Sequence, residues 1–150
     1  MFTAKERSDA ERLADAFLRN EHAKELIRNS EFEVPVIGEV MGMPFRGKAD
    51  VLGKDKIVDL KTTTDIKGFS WSANKYGYDV QCYLYCNLFQ KEYKDFYFLA
   101  LDKGSLDIGI FNCSEEFYFR GEEKVEKALD LYNKFFIEGA DLDNYCLTGE

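Results

Sequence analysis

Residues 44–63 read Pro-Phe-Arg-Gly-Lys-Ala-Asp-Val-Leu-Gly-Lys-Asp-Lys-Ile-Val-Asp-Leu-Lys-Thr-Thr, and this stretch decides the fold. Phe45, Gly47, Ala49 and Val51 alternate with Arg46, Lys48, Asp50 and Leu52, the period of a half-buried strand. Residues 53–56 supply a turn, and residues 57–61 return as a second strand. Side chains two apart share a face, so Asp59 and Lys61 are expected to point one way and Val58 and Leu60 into the core. Pairing of the two strands would bring Asp50 close to Asp59. Two carboxylates beside an ammonium make a site for a hard divalent cation and an activated water. The plainer alternative is a cross-strand salt-bridge cluster.

Downstream, residues 77–85 read Gly-Tyr-Asp-Val-Gln-Cys-Tyr-Leu-Tyr. The spacing predicts a helix over residues 79–91, with Tyr78, Gln81 and Tyr85 on one face and Val80, Leu84 and Leu88 on another. Gln81 and Tyr85 either converge on the carboxylates or face solvent on an ordinary amphipathic helix.

Together these segments resemble the PD-(D/E)XK nuclease superfamily. Asp50 matches its first acid, Asp59-Leu60-Lys61 its D-x-K element, and Gln81 with Tyr85 the Q-hydrophobic-x-x-Y helix of the RecB-type nucleases. The wording Val-Asp-Leu-Lys-Thr-Thr-Thr-Asp, then Gly-Tyr-Asp-Val-Gln, is similar to the phage exonuclease VIII-like branch. The resemblance runs from about residue 11 to residue 145. It implies a restriction-endonuclease-like α/β fold: a central mixed sheet flanked by helices in the order α-β-β-β-α-β, with an extra strand and a C-terminal helix. Residues 1–150 would form a single domain.

The activity so implied is metal-dependent hydrolysis of DNA phosphodiester bonds, by an exonuclease of phage-type recombination or DNA processing. Asp50, Asp59 and the backbone carbonyl of Leu60 would hold Mg²⁺ or Mn²⁺, with waters completing the shell. Lys61 would orient the attacking water and offset charge in the transition state. Gln81 and Tyr85 would hold DNA. Glu33 matches a supporting glutamate of relatives, or is one more solvated acid. The branch also carries a metal ligand, His or Glu, on a helix upstream of the part matched here. His22 lies in a different helix, which leaves Glu25, Glu33, a water or a neighbouring subunit to fill that position. The alternatives are a catalytically inactive nuclease-fold protein that binds DNA ends or a recombination partner, and an acidic interaction domain that keeps the fold only. Homo-oligomers are known in the branch.

Composition agrees with an ordered globule: 45% hydrophobic, 15% aromatic and 32% charged residues speak against disorder. No apolar run approaches membrane-spanning length and the start is charged, so the expected location is the cytoplasm, away from membranes. A net charge of −8 argues against a general nucleic-acid binder. Its distribution does not: residues 44–75 hold seven Lys or Arg against four Asp, +3 locally and −11 elsewhere. Cys82 and Cys86 share a helix face, while Cys113 and Cys146 stand apart in sequence. Some RecB-type nucleases hold an iron–sulfur cluster, which needs converging thiolates. Reduced thiols in the core are the favoured reading.

Elsewhere, residues 8–29 read as a helix broken at Asn20 and capped by Ser8 or Asp9, with His22 exposed upon it. Glu31–Val40 alternates as a strand. Residues 69–74 form a short helix or loop in which Trp71 either stacks on a base or, as sole tryptophans more commonly do, packs. Residues 96–101 are apolar enough for a central strand, and residues 106–112 alternate as its neighbour. Asp102 reads as a turn residue. Ser114 caps a last helix with its apolar stripe at Val125, Ala128, Leu129, Tyr132, Phe135 and Phe136. Gly139 would stop it, and Tyr145 would tether the tail.

Overall fold

The computed structural model describes residues 3–137; the expectations for Gly139, Tyr145 and Cys146 lie outside the described residues. One sheet organises them. Its strands are β1 (Glu31–Val40), β2 (Met43–Gly53), β3 (Lys56–Thr63), β4 (Phe96–Asp102) and β5 (Ile108–Asn112), in spatial order β1-β2-β3-β4-β5. β1, β2 and β3 form an antiparallel meander, β4 runs parallel to β3, and β5 is antiparallel to β4. A parallel neighbour needs a crossover. Helices α3 (Phe69–Lys75) and α4 (Tyr78–Phe89) supply it between β3 and β4. With α1 (Ala4–Arg19) and α2 (Glu21–Ile27) before the sheet and α5 (Glu115–Tyr132) after it, the expected mixed sheet flanked by helices is the observed one.

The two faces differ in weight. On one, Ile57, Phe96, Phe98 and Ala100 pack with Phe69 and Ala73 of α3, Cys82 and Cys86 of α4, and Cys113. Three fully buried phenylalanines at about 2–3 kcal/mol each make this the heavier core. On the other, Val51, Val58, Leu99 and Leu101 meet Ala23 of α2 and the flanks of α1.

The first helix begins earlier than expected. Thr3 rather than Ser8 or Asp9 is its cap: the Thr3 hydroxyl accepts the Glu6 N–H at 3.1 Å and Glu6 accepts the Thr3 N–H in return. Asn20 breaks the helix as expected, its side chain accepting the Ala23 N–H at 2.9 Å to start α2. Ser114 caps α5 through Phe117 N–H.

α4 and α5 touch backbone to backbone at Gly121. A Cβ on Gly121 would stand 2.1 Å from the Asp79 carbonyl oxygen, so only glycine permits the contact. Beside it Asp79, fully buried, pairs with Lys124 Nζ at 2.7 Å. The stripe on α5 is buried at Val125 alone; Tyr132 and Phe136 remain exposed and stack on each other, centroids 5.3 Å apart. No helix of the described residues is long and apolar enough to cross a membrane.

Candidate active site

The β2–β3 ladder pairs Val51 with Val58, Leu52 with Ile57 and Gly53 with Lys56, then stops. Continued one step further, the same register sets Asp50 opposite Asp59. Instead of a ladder bond, the Asp50 carboxylate accepts the Leu60 N–H at 2.8 Å. On the other side of β2, the β1 ladder is interrupted at the same place, between Phe32↔Val51 and Val34↔Ala49. Glu33, at that missing rung, has φ of +51°, a left-handed conformation a glutamate seldom adopts.

This kink resets the pleat. Ala49 packs in the cluster under α3 and α4, yet Val51, two residues on, packs in the opposite one. The simple alternation of residues 45–52 therefore holds only as far as Ala49. Val58 points into the core as expected, but Leu60 does not: its side chain is 45% exposed, along the groove beneath α1. That groove is flanked by Leu13, Phe17, Leu18 and Phe32, and the two short helices α1 and α2 do not close it.

Asp59 and Lys61 share one face, as their spacing requires. Asp59 sits on a strand with neighbours on both sides and is 6% exposed. Lys61 Nζ lies 2.9 Å from Asp59 Oδ2 and 4.3 Å from the centroid of the Tyr78 ring. Burial pushes the Asp59 carboxyl up to about 6; Lys61 pulls it down, and the nearby Asp50 carboxylate pushes it further up. Two acids thus share one pocket with a single ammonium.

α4 closes that pocket. Tyr78 lies against Phe98 of β4, and Tyr85, two turns on, lies against β2. A Cβ on Gly47 would come within 2.5 Å of the Tyr85 ring, so a glycine in β2 is what seats the tyrosine. Gln81 lies on the same helix face between them. Its Oε1 is buried and has no hydrogen-bond partner among the described residues. Gln81 and Tyr85 are both half-buried.

The remaining candidates fall outside. The Glu33 carboxylate is exposed and reaches Lys48 at 4.0 Å, although its backbone kink adjoins Asp50. Glu25 is exposed and paired with Arg28 at 3.3 Å, and His22 is exposed. Asp102 ends β4 and braces the turn that follows: it accepts the N–H groups of Ser105, Ile66 and Gly104, which hold its carboxyl below the usual range.

Sequence spacing missed one convergence. Cys113 meets Cys82 and Cys86 in the core, and its thiol, with that of Cys86 and burial, pushes the Cys82 thiol well above its ordinary value. Only the shared face of the first two was visible, because Cys113 arrives from β5 by tertiary packing. Among the described residues no group of three His, Cys, Asp or Glu side chains converges to hold a metal ion.

The oxygens at the hairpin are of another kind. Backbone N–H and C=O of one strand residue face the same edge, so the Leu60 carbonyl opens into the gap where Asp50 takes its N–H. Two carboxylates, that carbonyl and the orphaned Gln81 Oε1 are hard oxygen donors, which suit Mg²⁺ or Mn²⁺ rather than a soft metal.

Three comparisons bear on this geometry. Residues 4–146 match the sequence profile of a family described as a PDDEXK-like domain of unknown function (DUF3799). Among solved structures, the chain is similar to a Eubacterium rectale protein described as a candidate exonuclease: TM-score 0.77, 21% identity, 93% of this chain and 59% of that one. The chain thus spans about three-fifths of that protein's length. A second, SSO0001, matches at TM-score 0.47 and 19% identity over 87% of this chain and 61% of that one. No curated protein matches.

Proposed function

The chain belongs to the PDDEXK-like family DUF3799, and from that premise we propose that it is a metal-dependent deoxyribonuclease, an exonuclease of phage-type recombination or DNA processing. One observation carries the reading: Lys61 Nζ, 2.9 Å from Asp59, stands in a pocket that Asp50 also enters from the neighbouring strand. The Eubacterium rectale neighbour supports the fold, and its description agrees with the activity.

Asp50, Asp59, the Leu60 carbonyl and Gln81 Oε1 are the residues to hold Mg²⁺ or Mn²⁺. When bound, such an ion supplies Lewis-acid polarisation of the phosphoryl oxygen and a more acidic water. The chain's own groups do the rest. Lys61, held by Asp59 and by the face of Tyr78, hydrogen-bonds the attacking water and offsets the negative charge that grows on the phosphoryl oxygens. Water adds to phosphorus, the P–O bond to the departing nucleotide breaks, and the proton lost by the water is balanced by one gained on the leaving oxygen. Tyr85 and the amide nitrogen of Gln81 position the phosphate from the α4 side. Glu33 supports the site through its backbone, by kinking β1 where Asp50 leaves the ladder.

The test is cleavage of end-labelled linear and of circular DNA with Mg²⁺ or Mn²⁺. The reading expects degradation of the linear form, abolished by chelator and by Lys61→Ala. Binding without turnover in any divalent ion would make the protein a silent relative instead.

A further inference from the structure

Trp71, the chain's single tryptophan, is 67% exposed, and Tyr76 is 63% exposed. The packing role more common for a sole tryptophan is not the one it has. Trp71 and Lys75 lie one turn apart on α3, and Lys75 Nζ sits 5.1 Å from the Trp71 ring and 5.4 Å from the Tyr76 ring. Tyr76 leads inward, its ring 6.3 Å from that of Tyr78. Tyr78 is the ring on which Lys61 rests. Gly77, with φ of +73°, makes the reversal from α3 to α4 that sets Tyr76 and Tyr78 side by side. An unbroken succession of rings and ammonium groups thus runs from the hairpin pocket to the surface.

We propose that this succession is a binding track for the unpaired end of a DNA strand, with Trp71 and Tyr76 stacking on bases and Lys75 meeting phosphate. The proposal deepens the nuclease reading, on which it rests, by naming the substrate class: a strand with unpaired bases. The argument is chemical. Large aromatic faces open to water, interleaved with lysines, are what binds a single strand, because every base offers a π-face and every linkage a charge. Neither Lys67 nor Lys75 has an acidic partner within ion-pair distance among the described residues, although the protein as a whole carries −8. The Lys75 charge, beside the two exposed rings, is thereby free to meet a phosphate. Inside a duplex the base faces are already stacked, so the rings select unpaired ends.

The experiment uses Trp71 as its own reporter, in chelator so that no strand is cut. A short oligothymidylate is titrated against the intact chain, with a closed hairpin duplex and inorganic polyphosphate as controls. The expected result is quenching of tryptophan emission by oligothymidylate alone. Trp71→Ala and Tyr76→Ala, both at exposed positions, are expected to weaken oligothymidylate binding about 5- to 100-fold each by anisotropy. Trp71→Phe should retain part of it. Unchanged wild-type emission, or unchanged affinity in both alanine variants, overturns the track, as does equal quenching by polyphosphate or by the closed duplex. Cleavage that survives such a result leaves the nuclease reading standing. Quenching by a wild-type protein that cuts nothing in any divalent ion keeps the track and removes the nuclease.

Discussion

Asp50 accepts the backbone N–H of Leu60 at 2.8 Å, in the place where a ladder bond between β2 and β3 would otherwise form. The two strands are held at their turn and part at the acids. This parting turns a structural hairpin into a pocket: it brings Asp50 to Asp59 and leaves the Leu60 carbonyl facing the gap.

The hydrogen bond can be tested by itself. Asp50→Ala removes the acceptor and should cost about 1 kcal/mol, a modest amount because water reaches the position. Asp50→Asn keeps an acceptor oxygen and should cost less. Amide exchange at Leu60 should accelerate in the alanine variant and stay near wild type in the asparagine one. Equal exchange in all three would mean that the bond does not hold the gap.

Burial of Asp59 predicts a pH dependence in the metal-free protein. Its carboxyl is raised from 3.8 to about 6, so the folded state binds a proton that the unfolded state has already released. The stability this confers is complete below pH 3.8 and is lost as pH rises through 6. The shift corresponds to about 3 kcal/mol. In chelator, Asp59→Asn should therefore gain on wild type between pH 4.5 and 7.5. Denaturant melts across that range, fitted for the difference between the two proteins, measure it; parallel curves would contradict the burial.

At the α4–α5 contact, Gly121→Ala sets a methyl 2.1 Å from the Asp79 carbonyl oxygen, and backbone cannot rotate away as a side chain can. Destabilisation of about 3 kcal/mol is expected. The strain would also pull Asp79 from Lys124, which leaves a fully buried carboxylate without its cation. Urea unfolding of the variant checks this, and a loss under 1 kcal/mol would show that the helices slide apart freely.

The three core cysteines should be chemically silent. Cys82, Cys86 and Cys113 are buried, and the Cys82 thiol is raised, so thiolate, the reactive form, is scarce. Alkylation of the native protein followed by peptide mapping should leave all three unmodified, and labelling should appear on unfolding. Rapid native labelling of Cys82 would place it nearer to solvent than this core allows.

What is legible in the sequence is local. Period-two alternation and the turn at residues 53–56 suffice for the hairpin, and register follows from the turn, so the approach of Asp50 to Asp59 can be read from the residues alone. Asn20 is readable as a break because its side chain caps the next helix. The T-x-x-E text at Thr3 and Glu6 is equally readable, but the apolar stripe beginning at Ala10 points to a later start. Other features depend on contacts between distant segments. Leu60 lies on the same face as Val58 but stays exposed because α1 and α2 leave the groove over it open, and no periodicity announces that the pleat of β2 changes phase between Ala49 and Val51. The meeting of Cys113 with Cys82, the burial of Asp79 on Lys124, and the exposure of Trp71 are likewise set by how helices lie on the sheet.

Titration calorimetry with Mn²⁺ tests the central claim most directly, because it asks whether Asp50 and Asp59 grip one ion. The account predicts a single ion per wild-type chain at neutral pH, with affinity lost in Asp50→Asn and in Asp59→Asn. No heat of binding in the wild type, or binding that neither substitution disturbs, would contradict it.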